Sequence, residues 1–131
     1  MELINVLVAG LAAFAAGAVW YSILGKSWMA ASGVPLNEDG NPANSSDPKT
    51  YITGLIAAVV CAGMMRHVFE LSAIDTIGKG FISGLGIGLF LVTPWLVTNY
   101  TFAARPRQLM LIDGGYATLG CTVIGIVLTL F

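Results

Sequence analysis

Four long apolar stretches, each nearly free of charge, constrain the fold of this chain more than any other feature of the sequence. A helix needs roughly 20 apolar residues to cross a hydrocarbon core of about 30 Å. We predict membrane spans at about residues 3–24, 48–69, 78–104 and 108–131. The predicted fold is all-α: a polytopic membrane protein with one membrane domain, 1–131, in which four transmembrane helices form a bundle. Short hairpins and one longer polar loop, 25–47, connect the helices.

The composition agrees with lipid as the main solvent of the chain. Charged residues make up 10% of the sequence and hydrophobic residues 56%, whereas a soluble domain carries about a quarter charged residues. This excludes a soluble globular domain. The net charge is −1 and no basic run occurs, so the phosphate-neutralising surface of a nucleic-acid binder is missing. We expect partners in the membrane: lipids, together with either further copies of this chain or the subunits of a larger complex.

Local signals mark the ends and the middle of two spans. Asp47 followed by Pro48 is typical of a helix N-cap with proline at the first helical position. Asp75 is a plausible cap for the third span. Within that span, Pro94 predicts a kink, because proline lacks a donor and crowds the carbonyl of Phe90.

The distribution of lysine and arginine predicts the orientation of the chain. The side that holds the long loop and the last hairpin carries Lys26, Lys49, Arg105 and Arg107, against Arg66 and Lys79 on the other side. By the positive-inside rule the loop side is cytoplasmic. We therefore expect a multi-pass protein of the cell membrane with both termini outside the cytoplasm.

Three glycines form a stripe on the third span. Gly80, Gly84 and Gly88 repeat at every fourth position, which lets two helix backbones approach closely in a membrane. The stripe serves either the packing of the third helix within the chain or the self-association of two chains. The first interpretation is favoured, because four helices must first pack against one another.

Polar and aromatic residues gather at the loop end of the predicted bundle. Asn99 lies seven residues before Pro106 and Asp113 seven residues after it, so on antiparallel helices both lie about 10 Å inside the turn. The other members of this set are Trp20, Tyr21, Lys26, Trp28, Tyr100, Arg105 and Tyr116. Because all of these side chains fall on the loop side of the membrane, we predict a polar network there.

Asp113 is the residue of this set that most needs an explanation, because a carboxylate inside a span is costly and usually has a partner. We expect Arg105 or Lys26 as that partner, with Asn99 donating a hydrogen bond. One interpretation is a structural network beneath an aromatic belt. The other is a polar pocket that binds a small or anionic headgroup, or an ion.

No chemistry beyond binding is indicated by these side chains. They include neither a nucleophile with its base nor a set of metal ligands, so we predict no catalytic residues, no cofactor and no metal site, and hence not an enzyme. The expected function is that of an accessory or structural subunit of a membrane complex, or of a homo-oligomeric bundle, with a polar end that binds a lipid or small ligand. The alternative is a small oligomeric transporter or channel for an ion or small solute. That alternative is weaker, because a coupling carboxylate is expected nearer the midplane.

Several short motifs carry a resemblance to a known family. They are residues 17–21 (GAVWY), 25–29 (GKSWM), 99–102 (NYTF), 105–106 (RP) and 111–116 (LIDGGY). In this order they resemble the DUF1761 family of small bacterial four-helix integral membrane proteins of unknown function. The chain departs from the family pattern at Ser22, where glycine is expected, and at Ser27. The resemblance implies four helices in a bacterial inner membrane and a motif set at the loop end, and it implies no activity.

Overall fold

The chain folds into helices long enough to cross a membrane four times. A computed structural model describes residues 2–131; Met1, the first residue of the predicted domain, lies outside the described residues. The helices are α1 (Glu2–Ser32), α2 (Pro48–Leu71), α3 (Ile77–Ile87), α4 (Thr93–Phe102) and α5 (Arg107–Leu128). A π-helical turn, Gly88–Val92, joins α3 to α4 in one continuous span. The predicted all-α fold, with four helices apolar and long enough to span a membrane, is confirmed.

The last helix lies at the centre of the molecule. α5 packs against α1 on one side and against α3, the π-helical turn and α4 on the other, while α2 packs mainly against α1. The buried core lies between α1, α2 and α5 and consists of Ala9, Ala13, Ala62, Met65, Phe69, Cys121, Ile124 and Leu128. α2 and the third span leave most of their apolar surface exposed. This is the arrangement expected when lipid covers the outer helices.

The first helix is longer than the apolar run that predicted it. The predicted span ends at residue 24, but α1 continues to Ser32, because Lys26 and Ser27 interrupt the apolar run without breaking the helix. The helix ends where Gly33 adopts φ +66° and donates its N–H to the Met29 carbonyl at 3.2 Å. Glycine is favoured in this left-handed conformation. Lys26 and Trp28 therefore lie on a helix, and the connecting loop is 33–47 rather than 25–47.

Side-chain hydrogen bonds order this loop and start the second helix. The Asn37 side-chain oxygen accepts the backbone N–H groups of Asp39 and Asn41, both at 3.0 Å. Asp47 accepts the N–H of Lys49 at 2.9 Å, with Pro48 as the first helical residue. The predicted N-cap of the second span is confirmed.

The start of the third span differs from the prediction. Thr76, and not Asp75, is the N-cap: its hydroxyl accepts the N–H of Lys79 at 3.3 Å. Asp75 instead forms an ion pair with the Lys79 side chain at 3.2 Å. A threonine hydroxyl and an aspartate carboxylate are both good capping groups, so the neighbouring residue could take the role.

The helix around Pro94 widens into the π-helical turn that precedes it. Pro94 has no N–H to donate to the carbonyl of Phe90, so the regular hydrogen-bond ladder is interrupted at this point. The residue before it, Thr93, donates both its backbone N–H and its hydroxyl to the Gly88 carbonyl, the hydroxyl at 2.6 Å. The predicted disturbance at Pro94 therefore takes the form of a π-helical turn.

The glycine stripe packs within the chain. Gly80, Gly84 and Gly88 face the backbone of α5. A Cβ atom added at Gly88 would lie 2.6 Å from the Thr118 Cα atom, and one at Gly84 would overlap the Cys121 carbonyl oxygen. α5 thus occupies the surface that the self-association interpretation assigned to a second chain.

Candidate binding site at the polar end

Asp113 is held between two tyrosines from different helices. The Tyr21 hydroxyl of α1 donates to Oδ1 of Asp113 at 2.6 Å, and the Tyr100 hydroxyl of α4 donates to Oδ2 at 2.6 Å. Hydrogen bonds to an ionised carboxylate are short and about twice as strong as neutral ones. We call these three residues the tyrosine clamp. The clamp joins α1, α4 and α5 at the loop end of the molecule.

These partners differ from the ones the sequence suggested. We expected Arg105 or Lys26 to pair with Asp113 and Asn99 to donate to it, but within residues 2–131 Asp113 forms no ion pair and accepts from the tyrosines. The number of residues between a side chain and the turn at Pro106 predicts only how far inside the turn that side chain lies. Successive helical residues also differ by about 100° in direction, and this rotation turns Tyr100 instead of Asn99 towards α5.

Aromatic rings surround the Tyr21 side of the clamp. The ring of Tyr21 lies 6.0 Å from that of Trp28 at an interplanar angle of 76°, and 5.4 Å from that of Tyr116 at 69°. Both pairs have the edge-to-face geometry that aromatic side chains favour. Trp28 lies in the part of α1 that continues past the predicted end at residue 24, and this helical continuation places it next to the clamp.

Trp20 fixes α1 against α5 beside Asp113. Its indole N–H donates to the carbonyl of Ile112 at 2.9 Å. The ring lies over Gly115, where an added Cβ atom would be 2.6 Å from Cζ2 of the indole. Gly115 therefore makes room for the tryptophan of the facing helix.

Tyr116 makes the corresponding contact in the opposite direction. Its hydroxyl donates to the carbonyl of Ala13 at 2.9 Å, and its ring lies against Gly17, where an added Cβ atom would be 2.8 Å from the ring. The 17–21 and 111–116 motifs thus pair an aromatic residue on each helix with a glycine on the other.

The predicted basic and amide residues lie outside these direct contacts. Lys26 and Asn99 are exposed, and in the described part of the chain neither side chain forms a hydrogen bond to the clamp. Arg105 is half-buried at the turn, and its guanidinium lies 3.8 Å from the position of a Cβ atom built on Gly33. Of the predicted site residues, the structure therefore brings together Trp20, Tyr21, Trp28, Tyr100, Asp113 and Tyr116. The other three, Lys26, Asn99 and Arg105, lie at the same end of the molecule but outside this group.

Sequence reasoning missed Thr93. Its hydroxyl donates to the carbonyl of Gly88 and lies 3.2 Å from that of Gly114, the residue next to Asp113. Its methyl group fills the space over Gly114, where an added Cβ atom would be 2.9 Å away. A threonine directly before Pro94 is the signal that could have identified it, because threonine hydroxyls in helices often bond a main-chain carbonyl of the preceding turn. Thr93 couples the π-helical turn to the site.

A separate cleft of about 490 Å³ lies at the other end of the molecule. Its lining consists of Arg66, Phe69, Glu70, Ala73, Ile74, Asp75, Leu128, Thr129 and Phe131. Arg66 forms an ion pair with Glu70 at 2.6 Å across one helical turn. Among the described residues no three His, Cys, Asp or Glu side chains are placed to hold a metal ion, in this cleft or at the clamp. The cleft shares no residue with the tyrosine clamp and lies at the opposite end of the molecule.

The four described helices that are long and apolar enough to cross a membrane define a multi-pass membrane protein. The family model described as "Protein of unknown function (DUF1761)" matches residues 4–129 of the chain. The chain belongs to this family, as the resemblance of its motifs predicted. No curated protein and no solved structure matches it.

Proposed function

We propose that this is a non-catalytic membrane protein whose polar end binds a lipid headgroup or a small ligand at Asp113. The observation that supports the proposal is the state of the Asp113 carboxylate. It is partly exposed and is held by two neutral hydroxyls, without an ion pair in the described residues. A carboxylate within a membrane span is costly, which makes it a site by default when its charge has no partner in the chain.

A non-catalytic role is supported by what the neighbouring polar groups do. Tyr21 and Tyr100 donate to the carboxylate, whereas Trp20 and Tyr116 donate to main-chain carbonyls of the facing helix. Each of these donors already has a structural partner. The same network accounts for the geometry of the site without a reacting group.

We further propose that the protein works in an assembly, as a homo-oligomer or as a subunit of a larger membrane complex. α2 and the third span expose broad apolar surfaces, which lipids or other membrane helices can cover. Extraction in native nanodiscs, followed by native mass spectrometry, separates the cases. A complex that contains a second polypeptide supports the subunit role, and a multiple of the chain mass supports the homo-oligomer.

The site is tested by Asp113→Asn. An asparagine keeps the shape of the side chain and can accept from one hydroxyl while donating to the other, so the fold should be retained. We expect a lipid or small molecule that co-purifies with the wild type in native nanodiscs to be lost from the variant. Mass spectrometry of the bound molecules makes the measurement.

The matched control is Asp39→Asn, which removes a carboxylate from the exposed loop at the same end. It should keep the bound molecules. If Asp113→Asn also keeps them and only lowers the unfolding temperature, the carboxylate has a structural role and the proposal is wrong.

A transporter or channel is the second candidate, and the π-helical turn favours it. The turn lies in the span that carries Tyr100, and Thr93 links it to α5 next to Asp113. Interrupted helices and π-turns recur at transport and other functional sites. Flux of an ion or solute into liposomes that contain the wild type, absent with Asp113→Asn, would favour this candidate.

We also propose that the loop between α1 and α2 faces the cytoplasm, on the basis of its lysine and arginine content. Alkaline phosphatase, which is active only outside the cytoplasm, should be active when fused after Phe131. It should be inactive when inserted at Gly40, an exposed glycine of the loop with φ +80°. The reverse pattern of activities would show the opposite orientation.

A further inference from the structure

We infer that the ligand of the tyrosine clamp is an amphiphilic ammonium ion, with N–H groups on its charged nitrogen and an apolar body that lies in the lipid. The inference rests on the proposed function, because it names the ligand class of that same site. Charge, hydrogen-bonding capacity and the route of access each support it.

The negative charge of Asp113 favours a positively charged ligand. Both donors that the described residues supply to it are neutral hydroxyls. The basic residues at this end of the molecule, Lys26 and Arg105, form no ion pair with it in the described chain. Arg105 acts on Tyr100 from the side without contacting the carboxylate. An ionised group inside a span is normally paired directly, and a bound ligand would supply a positive charge in contact with Asp113.

The hydrogen-bonding capacity of the carboxylate selects the kind of cation. An ionised carboxylate has about four acceptor positions on its two oxygens, and the tyrosines occupy one on each oxygen. One position on each oxygen is therefore left. A protonated amine has up to three N–H donors and can use both positions, whereas a quaternary ammonium ion has none to offer.

The surroundings favour an amphiphilic ligand that arrives from the lipid. Asp113 lies on a helix that spans the membrane and is partly exposed. The outer surface of this end is apolar, with Phe102 89% exposed and Leu111 76% exposed on the faces of α4 and α5 that point away from the clamp. Approach from the water passes the positive charges of Lys26, Arg105 and Arg107, which repel a cation. The rings of Tyr21 and Trp28, both partly exposed, offer further attraction to a cation beside the carboxylate.

Four probes with the same alkyl chain test the ligand class: octylammonium, octyltrimethylammonium, octanol and octyl phosphate. The protein is placed in phosphatidylcholine nanodiscs, and binding is measured by titration calorimetry after subtraction of partitioning into empty nanodiscs. We expect saturable binding of octylammonium, binding of octyltrimethylammonium weaker by about tenfold or more, and no saturable binding of the other two. Equal or tighter binding of octyl phosphate would overturn the inference.

Three variants then locate the site. Asp113→Asn should weaken octylammonium binding by about tenfold or more, and Asp39→Asn should leave it unchanged. Lys26→Gln removes an exposed positive charge outside the clamp, so its affinity for octylammonium should equal or exceed that of the wild type. This third variant decides the matter if Asp113→Asn does not fold. Weaker octylammonium binding in Lys26→Gln would contradict the inference.

The outcomes separate this inference from the proposed function. If octanol or octyl phosphate binds saturably and Asp113→Asn abolishes that binding, the polar end binds a ligand and the ammonium assignment alone is wrong. If no probe binds and Asp113→Asn retains every molecule that co-purifies with the wild type, both are wrong. If no probe binds but a second polypeptide is lost on Asp113→Asn, a basic side chain of that partner takes the place we assign to the small ligand, and the inference is overturned.

Discussion

Replacing Gly84 by leucine should destabilise the protein strongly, whereas the same change two residues later, Gly86→Leu, should have little effect. A Cβ atom at Gly84 would overlap the carbonyl oxygen of Cys121 in α5 and lie 3.0 Å from the Thr122 Cα atom. These are backbone atoms, so α3 must separate from α5 to make room. At Gly86 nothing lies within 4 Å of an added Cβ atom. Overpacking costs about 1–3 kcal/mol and more where a backbone cannot yield, so we expect at least the upper part of that range at Gly84.

The measurement is the free energy of unfolding from a denaturant titration in mixed micelles, with both variants prepared in the same way. Gly86→Leu is the control for helix propensity and for added hydrophobic surface, because it changes both as Gly84→Leu does. Equal losses in the two variants would show that the close approach to α5 is not the cause. A stable Gly84→Leu protein with a smaller oligomer would restore the self-association interpretation of the stripe.

The sequence predicts much of this fold because helix formation and membrane insertion depend on local hydropathy. The four apolar runs determine the four spans, and the Asp47–Pro48 pair determines where α2 begins. Hydropathy does not predict where α1 ends. Lys26 ends the apolar run, but a polar residue does not end a helix that continues out of the lipid. Gly33, with its positive φ, marks the actual end.

The sequence predicts how far the site lies from the turn at Pro106, but not which side chains meet there. Asp113 and the end of α4 lie at similar distances from this turn because it joins two antiparallel helices. Which residue meets Asp113 depends on how each helix is rotated about its axis. Packing sets that rotation: Thr93 over Gly114 orients the third span and Trp20 over Gly115 orients α1. Contacts of this kind join segments that are far apart in the sequence, so the spacing of residues along one helix does not predict them.

A double-mutant cycle on the tyrosine clamp should show that the two hydroxyls act together on one charge. Tyr21→Phe and Tyr100→Phe each remove one hydrogen bond to Asp113, and a hydrogen bond to a charged group contributes about 1.5–3 kcal/mol. Each single variant leaves the carboxylate one donor. The double variant leaves it none within a membrane span, so its loss should exceed the sum of the single losses by about 0.5–3 kcal/mol.

The Asp113→Asn background shows whether this coupling depends on charge. An asparagine is neutral, so each Tyr→Phe change should then cost only about 0.5–1.5 kcal/mol, and the two losses should be nearly additive. Tyr51→Phe is the matched control, since it removes a hydroxyl that donates to the Ser45 carbonyl in an exposed part of the same end. Its small effect should be the same in both backgrounds. If the clamp variants lose as much stability with asparagine as with aspartate, the tyrosines stabilise the helix packing and not the charge, and Asp113 no longer needs a cationic ligand.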